Sequence, residues 1–179
     1  MNDGHEPLKI VRACNTRWLS IYTAVERIYD QWLELKTHFE IARLKEKCYS
    51  AEILYQMYCD DANQIYLLLL KSILKDVNRI NKSFESNDAD ITKLLEDLNQ
   101  LLQSMFQTLV LLSYYGKVDP RTCKIEDYLS PKIYFGHEVE IKVSAINKGQ
   151  EIIRERCLKF LIALFEQIRQ RLTDNINHL

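Results

Sequence analysis

Glycine and proline are scarce in this chain, four and three residues respectively, and none of the seven lies between Leu8 and Tyr115. A stretch of more than a hundred residues without a strong breaker excludes a fold of many short strands and tight turns. Cysteine is sparse and unpatterned. Cys14, Cys48, Cys59, Cys123 and Cys157 are odd in number, and no two stand in a CxxC. That excludes a disulfide framework and zinc-finger spacing, and it points to a reducing compartment, nucleus or cytosol. No hydrophobic run is long enough for a bilayer: the longest, Ile65 to Leu70, is a fraction of the required span. The opening MNDGHEPLKI lacks the apolar core of a secretory signal, so the chain is expected not to be secreted and not to sit in a membrane. Charge of one sign is also missing. Lys plus Arg number 24 against 25 Asp plus Glu, a net charge of −1. A surface generally coated for nucleic acid is excluded, while a local basic patch is not.

What is present is helical pattern. With 179 residues, 47% of them hydrophobic, the chain has the material for one domain with a real core. Residues 1–14, carrying Asn2, Asp3, Gly4 and Pro7, read as a flexible lead, and 15–175 as a single helical domain. Ile21, Val25, Ile28, Trp32, Leu35 and Phe39 recur at spacings of four and three, predicting one helix over about 16–47. Tyr66, Leu70, Ile73, Val77, Ile80 and Phe84 continue the pattern in a second helix over about 50–86, with a break anticipated at Asp60. Asp90 is placed to cap a third over about 90–113, whose stripe is Ile91, Leu94, Leu98, Leu101, Met105, Leu109 and Leu112. Further helices are predicted over about 137–148 and 150–174, the last with Ile153, Cys157, Leu161, Leu164, Ile168 and Leu172. Between them Gly116, Pro120, Pro131 and Gly136 mark a long irregular crossover, about 113–136, with one short turn near Ile125 to Leu129. The expected fold is therefore all-α, a helical bundle of four to six helices with that crossover. Its predicted core comprises Ile28, Trp32, Leu35, Leu70, Ile73, Val77, Leu98, Leu101, Leu161 and Leu164.

No catalytic, metal or cofactor signature emerges from the residues. His137-Glu138-Val139-Glu140 lacks the second histidine one turn on that a zinc helix needs. Glu34 and His38 stand one turn apart, but two ligands do not make a site. Asp60-Asp61 reads more simply as a helix break or cap than as a metal site. The isolated glycines form no phosphate-cradling loop, and each cysteine is most economically a small core residue. No small-molecule substrate is implied. One segment stands out. Lys9, Arg12 and Arg17 carry no acidic residue among them, and Trp18 follows directly. Bases beside an aromatic can hold a phosphate backbone while stacking on a base. The simpler alternative, which composition alone favors, is that Trp18 starts the apolar stripe of the first helix and packs inside while Arg17 caps or pairs locally. The crossover's Tyr114, Tyr115, Tyr128, Tyr134 and Phe135 are candidates both for pinning that segment and for a protein interface.

Several blocks carry a family resemblance. They are Cys14-Asn15-Thr16-Arg17-Trp18-Leu19-Ser20, then Val25-Glu26-Arg27-Ile28, then Gln31-Trp32-Leu33-Glu34-Leu35-Lys36 with Phe39. Further on come Ile65 to Leu70, Val77-Asn78-Arg79-Ile80-Asn81 with Phe84, Val118-Asp119-Pro120, and Ile133-Tyr134-Phe135-Gly136. Cys157 to Phe160 and Gln167 to Arg171 complete the series. In this order, over about residues 9–173, they resemble the helical insertion region of hAT-superfamily transposases and their domesticated, zinc-finger-bearing relatives. The Thr-Arg-Trp block is the most specific part.

The resemblance implies an all-helical insertion within a ribonuclease-H-like domain whose carboxylate triad lies outside these residues. Two-metal cleavage needs clustered carboxylates, so the chain by itself is expected not to be an enzyme. It also implies that Trp18 is the tryptophan that stacks on an unpaired base during excision. The expected function is a catalytically inactive, transposase-derived domain acting in protein–protein association, with a protein partner or self-association and secondary DNA contact. Two other readings stay open: an internal fragment of an active transposase, and an unrelated helical adaptor.

Overall fold

The computed structural model of the chain describes residues 18–84 and 90–176. Among them the fold is all-α, with seven helices: α1 (Trp18–Asp30), α2 (Trp32–Glu46), α3 (Tyr49–Cys59), α4 (Asp61–Phe84), α5 (Ile91–Leu109), α6 (His137–Ala145) and α7 (Gln150–Ile176). No strand forms among the described residues, only an isolated antiparallel bridge between Val110 and Leu129. The helices exceed the anticipated four to six because two predicted helices are each divided by a local feature. Gln31, at φ −104° and ψ 24°, separates α1 from α2. The hydrogen bonds from Gln31 N to Arg27 O and from Leu35 N to Gln31 O, both 2.9 Å, nevertheless run through the junction. The four-and-three spacing therefore carries on across a bend it cannot reveal. Asp60 divides α3 from α4, as anticipated, by leaving helical geometry and accepting the Ala62 amide at 3.0 Å.

The described residues pack as two compact units, one up to Asn78 and one from Arg79. In the first, α2 and α3 form a hairpin joined through Lys47 and Cys48, with Lys47 in the left-handed region at φ 48°. Tyr58 of α3 is the hairpin's center, its ring 4.5 Å from Trp32 and 5.6 Å from Phe39 between ring centers. Arg43 lies 3.9 Å over the Tyr55 ring and pairs with Glu52 at 3.2 Å, bracing the two helices beside their link. Val25 of α1 and Ile65, Leu68 and Leu69 of α4 are buried in this unit, and Lys71 ties α4 to Asp30 at 2.6 Å.

The second unit is built on α5 and α7. Asp90 caps α5 by accepting the Thr92 amide at 2.8 Å, the role the sequence assigns it. Leu101, Leu102, Met105, Phe106 and Leu109 of α5 are buried, as are Ile153, Cys157, Leu161, Phe165 and Leu172 of α7. Phe106 and Phe165, both fully buried, meet at 6.3 Å between ring centers. The crossover belongs to this core. Ser130 N bonds Leu109 O at 2.8 Å and Leu111 N bonds Tyr128 O at 3.3 Å, closing the loop at its base. Cys123, Ile125, Ile133 and Phe135 then fill inward, and a short turn forms at Ile125–Asp127.

The predicted core needs correction. Of its ten residues only Leu101 and Leu161 are buried; Ile28, Trp32, Leu35, Leu70, Ile73, Val77, Leu98 and Leu164 are half-buried. On α4 the interior is taken by Ile65, Leu68 and Leu69 together with Ile80 of the expected stripe, and on α7 Phe165 joins Leu161; Ile65, Leu69 and Phe165 each stand next to a residue the spacing favored. A rotation of one position is within the width of an apolar stripe, and the neighboring helices choose within it. Leu112 leaves the α5 stripe because the helix ends at Leu109, and it stands exposed.

A candidate protein interface on helices α2 and α3

Each helix of the α2–α3 hairpin carries exposed apolar side chains on the side turned away from the other. On α2, Leu35 and Phe39 sit on the side toward α3, and no residue of the helix is fully buried. Leu33, Thr37, Ile41 and Leu44, spaced by four, four and three, fall on the opposite side. Leu33 is 70% exposed and Leu44 66%. On α3, Ala51 and Tyr58 are buried while Tyr49, Ile53 and Met57 project outward, Tyr49 at 79% exposure. Scattered exposed apolar residues are ordinary on any protein; here they line up along one side of each helix, the side turned away from the other helix. The sequence contained the signal, a second four-and-three pattern on α2. It was missed because the stripe through Trp32, Leu35 and Phe39 explains the helix equally well.

The crossover candidates are placed differently from one another. Tyr114 and Tyr128 are half-buried and meet edge to face at 5.0 Å, and the Tyr115 hydroxyl donates to the Gln107 carbonyl oxygen. These three pin the crossover. Phe135 is buried, so its ring is core and not interface, because Ile133 and Phe135 alternate inward while Tyr134 between them is exposed. Of the four DNA candidates, Lys9, Arg12 and Arg17 lie outside the described residues, and Trp18 is the first residue of α1.

The basic residues of α7 are largely paired. Arg154 grips Glu140 of α6, Lys159 reaches Glu155 at 2.6 Å, and Arg169 holds Glu166. Arg154 and the Phe135 amide, the latter at 3.1 Å, together hold the Glu140 carboxyl below the usual carboxylate range. In the His137–Glu140 segment Glu140 is thus a structural anion, and His137 is exposed. Glu34 and His38 are both exposed on α2. No cluster of three or more histidine, cysteine or acidic side chains suited to a metal forms among the described residues. A cleft of about 350 Å³ beside α5 is lined by Asn99, Gln103, Pro120, Asp119 and Arg121. Its charged groups satisfy each other, with Arg121 Nη2 3.0 Å from Asp119 Oδ2, which holds the Asp119 carboxyl low.

The cysteines depart from the expectation that each is a core residue. Cys123 and Cys157 are buried, and burial pushes the Cys157 thiol up to about 11. Cys48 and Cys59 are exposed, because they sit at the two ends of α3 where the chain turns. No described helix is long and apolar enough to cross a membrane. Comparison with protein-family profiles, with curated proteins and with solved structures finds no match to this chain.

Proposed function

We propose that this chain is a catalytically inactive helical domain of transposase descent whose work is protein–protein association, with DNA contact secondary. The observation that carries the reading is a pair of outer faces, one on α2 with Leu33, Ile41 and Leu44 exposed and one on α3 with Tyr49, Ile53 and Met57 exposed. Leaving that much apolar surface in water is unfavorable, at roughly 25 cal/mol per Å², and docking another apolar surface recovers it. The charge distribution points the same way. Arg154, Lys159 and Arg169 of α7 already hold carboxylates, so they offer little to a phosphate backbone, and weak phosphate contacts fade at physiological salt. Transposase descent rests on the Thr-Arg-Trp block and the motifs that follow it, and a nuclear site of action goes with it.

The test couples two measurements. The chain, immobilized, is exposed to nuclear extract beside a Leu33→Asp/Leu44→Asp version, and binding to duplex and hairpin DNA is measured at about 150 mM salt. The expected result is self-association or a retained protein that the double variant loses, with DNA bound more weakly than about 1 µM. Sub-micromolar DNA affinity abolished by Trp18→Ala, in a chain that associates with no protein, would reverse the ranking.

A further inference from the structure

We infer that the outer face of α2 is a self-association surface on which α2 of a second copy lies antiparallel. This rests on the association reading above and names the partner. The face is apolar and narrow: Leu33, Thr37, Ile41 and Leu44. The Thr37 hydroxyl donates to the Leu33 carbonyl at 3.0 Å, so covering it leaves no donor without an acceptor. The edges of the stripe carry the information about the occupant. Along one edge lie Glu34 near the start of the helix and Lys45 near its end, both exposed. Along the other lie Lys36 and Glu40, both half-buried, again one of each sign.

A two-fold axis across the middle of the helix brings Leu33 opposite Leu44 of the second copy and Thr37 opposite its Ile41. The same operation sets Glu34 against Lys45 of the second copy, and Lys36 against its Glu40. Every edge pair is then of opposite sign, twice over, and the interface closes on itself as an isologous dimer must. A parallel two-fold instead opposes one edge of the helix to the other edge of its copy, which leaves Glu40 and Lys45 about five residues out of level along the axis. Antiparallel helix dipoles add to the same preference.

The outer face of α3 has no such pattern. Tyr49, Ile53 and Met57 are flanked by Ser50 and Gln56, and the one acid, Glu52, is held by Arg43 at 3.2 Å. Its occupant is therefore not specified by charge, whereas that of α2 is. A single helix of 15 residues buries less than the roughly 800 Å² per partner of a stable dimer, so the association is weak, on the order of 10–100 µM.

Sedimentation equilibrium of the full chain at about 150 mM salt reads the outcome. The expected result is a monomer–dimer equilibrium in that range, eliminated by Leu33→Asp/Leu44→Asp. Glu34→Lys alone and Lys45→Glu alone should each weaken it by roughly three- to tenfold, and the two together should restore it. All these positions are exposed, so circular dichroism should show helix content unchanged in every variant. A monomeric wild type at several hundred µM, on the order of ten times the expected constant, overturns the inference. So does a dimer indifferent to Leu33→Asp/Leu44→Asp, or a charge exchange that fails to restore association. A monomeric wild type that still retains a nuclear protein through Leu33 and Leu44 sinks self-association while sparing the association reading; loss of both sinks both.

Discussion

Replacing Phe165 by alanine tests which face of α7 is the core. Its ring is fully buried and meets the equally buried Phe106 of α5 at 6.3 Å between ring centers. Removing a buried phenyl costs the lost transfer energy plus a cavity term, about 3–5 kcal/mol. The tilted aromatic pair lies within that figure, at about 0.5–1.5 kcal/mol. The expected loss is therefore about 4 kcal/mol, a large share of the roughly 5–15 kcal/mol that holds a domain together. Leu164, the residue favored by spacing alone, is half-buried, and its truncation should cost about 1–2 kcal/mol. Urea unfolding followed by far-ultraviolet circular dichroism is the suitable assay. A Leu164→Ala loss equal to or above that of Phe165→Ala would mean that α7 is rotated relative to α5, and the packing described here would be wrong.

The Glu140–Arg154 pair should make stability pH-dependent. Because the folded carboxyl is held below its ordinary 4.5, the contribution is complete above that pH and drains away as pH falls through the lowered folded value. Glu140→Gln should cost about 1–3 kcal/mol at neutral pH, and its difference from wild type should shrink in acid; a difference that grows in acid would contradict the pairing. Thiol labeling of the native protein, followed by peptide mass analysis, should modify Cys48 and Cys59 readily and leave Cys123 and Cys157 intact until unfolding. Rapid labeling of Cys157 would mean that the α7 core opens easily. Lys47 pays a left-handed penalty at φ 48°, so Lys47→Gly should raise the urea midpoint by the equivalent of about 0.5–1 kcal/mol. A lowered midpoint would show that the α2–α3 link has another conformation.

Local chemistry determined the elements of this protein from sequence alone. Asp60 and Asp90 end and begin helices because a short carboxylate can bond a nearby amide, wherever the rest of the chain lies. Gly136 and Gly149, at φ 104° and 85°, bracket α6 because glycine takes up that backbone geometry without strain, and the breaker-free stretch before Tyr115 favored helices. Tertiary packing decided the rest. Spacing confines a stripe to one side of a helix, but the neighbors select Phe165 over Leu164 and Leu69 over Leu70 within it. The crossover shows the same limit, since its aromatic residues are conspicuous in the sequence while Cys123, Ile125 and Ile133 do much of the filling. On α2 two apolar faces are equally plain in the sequence. Which one is covered by α3 and which is left exposed depends on contacts between residues distant along the chain, and no periodicity encodes that.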